Sequence, residues 1–504
     1  MDAILNIIKK IIPKGILKRI LPVYHIGLAY FAAFWYGHPS EKMIVIGVTG
    51  TNGKSTTTEF IARVLGYTNQ HEYEHESTLK NISKHKCEHE LTRKNKVGFT
   101  STVKFKVGDR EWLNDKKMTM VGRFQLQKLL RDMVKAGCKY AVIETSSEGV
   151  KQFRHKGINY DYLVFTNLTP EHIESHGSFE NYKNAKLELF RHLEKRRKKK
   201  FEIRNLKLEI LKVIIANGDD KYVSEFLNFK VDKKVVYGVD SPQLGSTAPA
   251  EAGDNGAAIE EALPRLYRAE NVKLDKTGTY FNLDGAEFKL NMLGRFNIYN
   301  AMPAIIIGEN EGMKLEEIKE ALADVKGVPG RMEFIDEGQD FTVLVDYAPE
   351  PESMKKLYET AREINMGVKK IIHVLGSCGG GRDKARRPIL GRIAAENADI
   401  VIITNEDPYD DDPMEIIEEV AGGAFSIKQE NKKTKKQENN KVFKILDRRE
   451  AIRKALELAK SGDLVLITGK GSEQAMCVAG GKKIPWDDRD VAREEIFRIR
   501  NYDS

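Results

Sequence analysis

The feature that most constrains this chain is a strand-like run ending in a glycine-rich turn. Met43-Ile-Val-Ile-Gly-Val48 is almost wholly apolar and β-branched, and Gly47-Val-Thr-Gly-Thr-Asn-Gly-Lys-Ser-Thr56 carries it into a helical pattern from about Ser55 to Leu65. A buried strand, a tight turn and a helix N-terminus in that order aim backbone N–H groups and the positive end of the helix dipole at one point, where an anion is held. Within the turn, Lys54 suits β- and γ-phosphates and the Ser55 hydroxyl suits Mg²⁺. The chain departs from G-x-x-x-x-G-K-[ST] at one place, because Val48 stands at the first glycine position. A purely structural turn has no need of Gly-Lys-Ser, so the segment reads as a site for ATP or GTP. The reaction stays open, since the same loop serves kinases, motors, switches and ligases.

Further apolar runs at Tyr140–Glu144, Tyr162–Thr166 and Val213–Asn217, separated by helix-like stretches, predict a parallel, wound α/β sheet behind this loop. A second α/β unit is expected from about Arg331. Its strand-like runs are Phe341–Val345, Lys370–Leu375, Ile400–Thr404, Val442–Leu446 and Leu464–Thr468, with helical patterns such as Glu350–Ile364 and Arg448–Lys460 between them. A length of 504 residues exceeds one hydrophobic core and sets a prior of about three domains. The expected organisation is a short segment over 1–42, an ATP-binding unit over 43–329 and a Rossmann-like unit over 330–504. Polar insertions are expected near 67–96 and 429–441, and a flexible loop near 241–260. A net charge of +8 from 82 basic and 74 acidic residues is too mild to indicate nucleic acid, and no such partner is expected. Cys87, Cys138, Cys378 and Cys477 show no C-x-x-C spacing, which argues against a disulfide framework or a cysteine zinc site and for a reducing cytoplasm.

The N-terminus interleaves Ile4, Leu5, Ile7, Ile8, Ile11 and Ile12 with Lys9, Lys10, Lys14, Lys18 and Arg19, and Pro13 suggests two short helices. Tyr24 to Tyr36 is apolar and aromatic but shorter than the roughly 20 residues that span a bilayer. Two readings follow: a helix packed on the next unit, or a basic amphipathic anchor on an anionic membrane surface formed by residues 1–36.

After the loop, motifs continue in order: Glu144-Thr-Ser-Ser-Glu-Gly149, Phe165-Thr-Asn-Leu-Thr-Pro-Glu-His172, Asn181-Tyr-Lys-Asn-Ala-Lys-Leu-Glu-Leu-Phe190, Leu293-Gly-Arg-Phe-Asn-Ile-Tyr-Asn300, Gly327-Val-Pro-Gly-Arg-Met-Glu333, Val345-Asp-Tyr-Ala348, Gly379-Gly-Gly-Arg-Asp-Lys384 and Thr468-Gly-Lys-Gly-Ser-Glu473. Together with Thr-Gly-Thr-Asn-Gly-Lys-Ser, this series resembles the Mur ligases over nearly the whole chain after residue 43. It is most similar to the branch that adds the third residue of the peptidoglycan stem. The resemblance implies a central P-loop ATPase domain and a C-terminal Rossmann-like domain. It also implies an ATP-driven amide synthesis from a UDP-linked muropeptide and a free amino acid, through an acyl phosphate.

The same resemblance implies roles for single residues. ATP would be held by Gly50, Thr51, Asn52, Gly53, Lys54, Ser55, Thr56, Asn297, Asn300, Arg331 and Asp346. Mg²⁺ would be held by Ser55, Glu144, His172 and Lys186. An unmodified lysine is cationic and ligates no metal, but Lys186 carbamylated by CO₂ becomes an anion. Lys54, Glu144, His172 and Lys186 form the implied catalytic set. The muropeptide would meet Thr119, Ser146, Gln152 and Arg154, and the incoming amino acid Arg382, Asp407, Tyr409 and Glu473. Amides such as Asn297 and Asn300 offer both a donor and an acceptor to adenine, and helix capping is their other reading.

The chain also departs from the family pattern. Glu148, Pro349 and Ser472 stand where histidines are usual. Enzymes that use meso-diaminopimelate carry Asp-Asn-Pro-Arg, and here Glu406-Asp-Pro-Tyr409 is followed by three further aspartates. Tyr409 supplies no positive charge, so an acidic pocket with Asp407 and Glu473 predicts a side-chain ammonium such as that of lysine. About forty residues precede the loop, too few for the family's uridine-binding domain. The alternatives are therefore a membrane-proximal relative acting on lipid-linked muropeptide, or an ATP-binding assembly protein without catalysis.

Overall fold

The strand Ile44–Thr49 is buried along its whole length, and its side chains alternate between two cores. Ile44, Ile46 and Val48 join Phe60, Ile61 and Val64 of the helix Lys54–Leu65 on one face. Val45 joins Leu126, Leu130 and Met133 of the helix Arg123–Lys135 on the other. A strand covered by helices on both faces needs apolar residues at every position, and this explains the unbroken run in the sequence. The computed structural model describes residues 14–67, 96–171, 173–203, 206–239, 264–275, 277–363, 367–381, 383–433 and 441–502. The expected loop near 241–260, most of the insertions near 67–96 and 429–441, and two expected site residues, His172 and Arg382, lie outside the described residues.

Nine strands form the first sheet, in the spatial order Arg265–Arg268, Lys233–Gly238, Val213–Asn217, Tyr162–Phe165, Ile44–Thr49, Cys138–Glu144, Lys96–Thr100, Lys104–Val107 and Arg110–Leu113. Pairing is parallel from Arg265–Arg268 through Lys96–Thr100 and antiparallel beyond it. A second sheet of six strands runs Glu333–Ile335, Thr342–Asp346, Leu464–Thr468, Ile371–Leu375, Ile400–Thr404 and Lys441–Ile445. It repeats the two-sided pattern: Val343 and Val345 face one core and Leu344 the other. The fold is α/β, as the sequence predicts, with the expected strands within a residue or two of their places. A three-stranded antiparallel sheet, Glu270–Asp275, Gly278–Leu283 and Ala286–Leu290, was not expected.

Among the described residues the N-terminus is a helix, Lys14–Trp35, that runs through Pro22. The expected first helix, before Pro13, lies outside the described residues. Ala29, Ala32 and Ala33 are buried beside the helix Arg123–Lys135. A Cβ added at Gly157 would lie 2.6 Å from the Ala29 carbonyl oxygen, so that glycine lets the helix backbone approach.

Candidate active site

The glycine-rich loop leaves the central strand where Ile44–Thr49 lies between Cys138–Glu144 and Tyr162–Phe165. Its glycines are sterically required. Gly50 has φ +150° and a Cβ there would sit 2.0 Å from Thr166 Oγ1; Gly53 has φ +82° and a Cβ there would sit 2.2 Å from Asn300 Oδ1. Neighbouring backbone holds the loop open: Thr51 N donates to the Asn167 carbonyl at 2.8 Å and Asn52 N to Asn167 Oδ1 at 2.9 Å. Lys54 turns back onto the loop, donating to the Thr51 carbonyl at 2.6 Å.

Strand register carries the next residue to the loop. Val48 pairs with Glu144 across the parallel ladder, so Glu144 ends its strand beside the start of the helix Lys54–Leu65. Ser55 Oγ donates to Glu144 Oε2 at 2.8 Å. Thr102 grips the same carboxylate twice, with its N–H at 2.7 Å and its hydroxyl at 2.9 Å. Thr102 is not singled out in the sequence, and no local signal marks it, because its partner Glu144 is 42 residues away. Among the described residues no three His, Cys, Asp or Glu side chains form a metal cage. A hydroxyl and a carboxylate at a phosphate loop nevertheless fit Mg²⁺, which keeps most of its waters and takes one or two protein oxygens plus phosphate.

Lys186 stands across from this pair on the helix Phe179–Lys195, one turn after Tyr182. Its side chain is 1% exposed. Its amine donates to the Gly50 carbonyl at 2.6 Å and lies 4.6 Å from the centre of the Tyr182 ring. Burial, and then the Lys54 ammonium, push its pKa well below the ordinary lysine value. A neutral lysine amine is the nucleophile that CO₂ needs, so the surroundings favour the form that carbamylation requires.

These groups line a cavity of about 570 Å³ whose far wall comes from the second sheet. Thr51 to Thr56, Thr119, Glu144, Ser146, Lys186, Asn297, Asn300, Arg331, Asp346 and Glu473 all reach it. Asn300 Nδ2 donates to Asn297 Oδ1 at 3.0 Å, and Asn297 Nδ2 to the Leu293 carbonyl at 2.8 Å, so the two amides orient each other. Arg331 stacks 4.3 Å over the Tyr347 ring. Asp346 accepts from the backbone N–H groups of Met332 at 2.7 Å and Ala348 at 2.8 Å. Burial raises its pKa, and Arg331 opposes part of that rise.

The structure separates the expected muropeptide residues. The Thr119 hydroxyl lies 2.9 Å from the Thr102 hydroxyl, whose own proton is given to Glu144, so Thr119 sits one hydrogen bond behind that carboxylate. Ser146 caps a short helix, accepting from Gly149 N at 3.2 Å. Gln152 and Arg154 are not in the cavity wall; the Arg154 guanidinium donates to the Met120 carbonyl and, at 2.6 Å, to Gln152 Oε1.

The expected acidic pocket is also altered. Asp407 is chelated by Lys470 Nζ at 2.9 Å and by Lys117 Nζ at 2.8 Å. Lys470 also reaches Glu473 at 2.5 Å, and Lys117 reaches it at 3.2 Å. Burial would raise the Asp407 carboxyl, but the Lys470 and Lys117 ammoniums outweigh it and hold the carboxyl below its usual range. Two lysines of the chain thus already balance the two acids, and neither lysine was singled out in the sequence. Tyr409 has φ +53° and packs over Gly380, where a Cβ would meet its ring at 2.6 Å.

Known proteins match this chain along its length. Residues 48–308 match the Mur ligase middle domain, and residues 330–471 match the family described as Mur ligase, glutamate ligase domain. A UDP-N-acetylmuramyl-tripeptide synthetase of Roseiflexus sp. (strain RS-1) is 35% identical over 485 residues, covering 95% of this chain and 83% of the relative. A UDP-N-acetylmuramoyl-L-alanyl-D-glutamate--2,6-diaminopimelate ligase of Geobacillus kaustophilus (strain HTA426) is 33% identical, covering 93% and 82%. A solved structure of a ligase of that second name superposes with a TM-score of 0.50 at 26% identity, over 91% of this chain and 79% of the other. With both domains matched in order around one phosphate-loop cavity, the chain belongs to the Mur ligase family, the ATP-dependent ligases that form carbon–nitrogen amide bonds.

Proposed function

We propose that this ligase adds the third amino acid, a diamino acid such as L-lysine, to UDP-N-acetylmuramoyl-L-alanyl-D-glutamate in peptidoglycan synthesis. The observation that carries the reading is the pairing of Ser55 with Glu144 at the phosphate loop, facing a buried Lys186. The names of the relatives support the same acceptor and a diamino acid. In this reading the units 43–329 and 330–504 each supply one wall of the site. Ser55 and Glu144 would hold one Mg²⁺, and Glu144, with His172 and a carbamylated Lys186, would hold a second. Bound there, the metal neutralises phosphate charge. Lys54 neutralises more of it and orients the γ-phosphate, while Asn297 and Asn300 fix adenine. An acceptor carboxylate oxygen attacks the γ-phosphorus, ADP leaves and an acyl phosphate forms. The amine then attacks the acyl carbon, inorganic phosphate leaves, and the amine gives up a proton. On this reading the enzyme works in the cytoplasm, at the inner face of the membrane through residues 1–36.

One observation favours a second reading of the amine. Lys117 brings a cation to the pocket where Tyr409 brings none, and the distal carboxylate of diaminopimelate requires one. Amino-acid-dependent phosphate release, measured with the UDP-linked acceptor and either lysine or diaminopimelate, tests both readings. Release with one of them, abolished by Lys54→Ala, supports the proposal. No release with either overturns it.

A further inference from the structure

We propose that the helix Lys14–Trp35 docks this protein in the plane of an anionic lipid surface through the face carrying Ile20, Val23, Tyr24, Phe31, Phe34 and Trp35. The proposal rests on the membrane-side location given above and names the surface responsible. The helix is built inside out. Its buried stripe consists of small residues, Ala29, Ala32 and Ala33, with Ala32 wholly buried. Its large apolar residues point outward: Val23 is 71% exposed and Phe34 and Trp35 are each 68% exposed. Outward positions 20, 23, 24, 27, 30, 31, 34 and 35 recur at the helical period, so they form one continuous stripe. Scattered exposed apolar side chains are ordinary, whereas a continuous stripe marks an interaction surface.

Charge and side-chain type select the occupant. The helix carries Lys14, Lys18 and Arg19 in its first two turns and no Asp or Glu. Tyr24, Tyr30 and Trp35 on the outward face are amphipathic, the type that settles at the boundary of headgroups and acyl chains. Cations at one end of an apolar and aromatic stripe suit an anionic bilayer surface better than an apolar protein groove. Among the described residues no helix is long and apolar enough to cross a membrane, so the helix would lie along the surface. Its 22 residues make a rod about 33 Å long.

The test uses the full chain and sedimentation with phosphatidylcholine vesicles, with or without phosphatidylglycerol. Wild type should bind the anionic vesicles, more weakly as salt rises. Phe34→Glu with Trp35→Glu should abolish binding, and Lys14→Ala with Lys18→Ala and Arg19→Ala should weaken it on the order of 100-fold. Phosphate release on a soluble acceptor should be unchanged in both variants, which separates failure of this proposal from failure of the ligase reading. Equal vesicle binding by wild type and the glutamate variant overturns the proposal. So does a wild type that ignores vesicles but forms a dimer that the glutamate variant loses, because a second copy would then cover the face.

Discussion

Lys186→Met separates the structural role of Lys186 from its chemical one. Methionine keeps the length of the buried stem and loses the amine. The structural loss is the 2.6 Å hydrogen bond to the Gly50 carbonyl, about 1 kcal/mol, offset by no longer burying a group that water would rather keep charged. The variant should therefore fold with nearly wild-type stability. Catalysis should suffer far more. If the carbamate is a positioning anion for the phosphoryl step, removing it should lower kcat about 10²–10³-fold, roughly 3–4 kcal/mol. A short carboxylic acid should restore part of that, and ¹³CO₂ should give a carbamate carbon signal in wild type alone. Stability against pH provides a readout apart from activity. The Lys186 pKa lies below its ordinary 10.5 because of burial and then Lys54. Between the lowered value and 10.5 the unfolded chain holds a proton that the folded chain lacks. Wild-type stability in CO₂-free buffer should therefore rise with pH through that window, by at most about 1.4 kcal/mol per pH unit. Lys186→Met should lack this rise. Full activity in the variant, or parallel stability profiles for the two proteins, would refute the reasoning.

Two further outcomes concern the C-terminal unit. Asp407→Asn leaves the buried Lys470 ammonium with Glu473 as its remaining carboxylate, and should cost about 3 kcal/mol in urea denaturation followed by fluorescence; adding Lys470→Met should recover part of the loss. His373 is buried between Tyr358 and Thr468, and burial, then Arg448, push its pKa down to about 3. From pH 6.5 down to about 3 the unfolded chain binds a proton that the folded one refuses, so stability should fall as pH falls through that range; urea midpoints in His373→Gln should depend less on pH there.

Much of the site was legible because its chemistry is local. The loop, its glycines, Lys54 and Ser55 are contiguous, and Glu144 could be placed because it ends a recognisable strand beside the loop strand. The expected strands were long, apolar and β-branched. Lys96–Thr100 and Lys233–Gly238 were not foreseen, because each opens on lysine and contains a glycine, which blurs the pattern of a buried strand. Thr102 escaped notice because its grip on Glu144 joins residues 42 apart in sequence. The N-terminal periodicity suggested an amphipathic segment, yet only the packing of Ala29 and Ala33 against the molecule showed which face turns inward.

The amino-acid pocket marks the division most clearly. The sequence by itself determined the family motifs, the apolar central strands of both sheets and the phosphate loop, since each is written in neighbouring residues through steric and hydrophobic preferences. Only the tertiary structure decided the charge of the pocket. Asp407 and Glu473 read as unpaired acids until Lys470 and Lys117, the latter 290 residues from Asp407, arrive beside them. Burial in a low dielectric makes pairing with any cation within reach strongly favourable; Lys470 is brought to Asp407 by the packing of strands within the second sheet, and Lys117 by the way the two sheets dock.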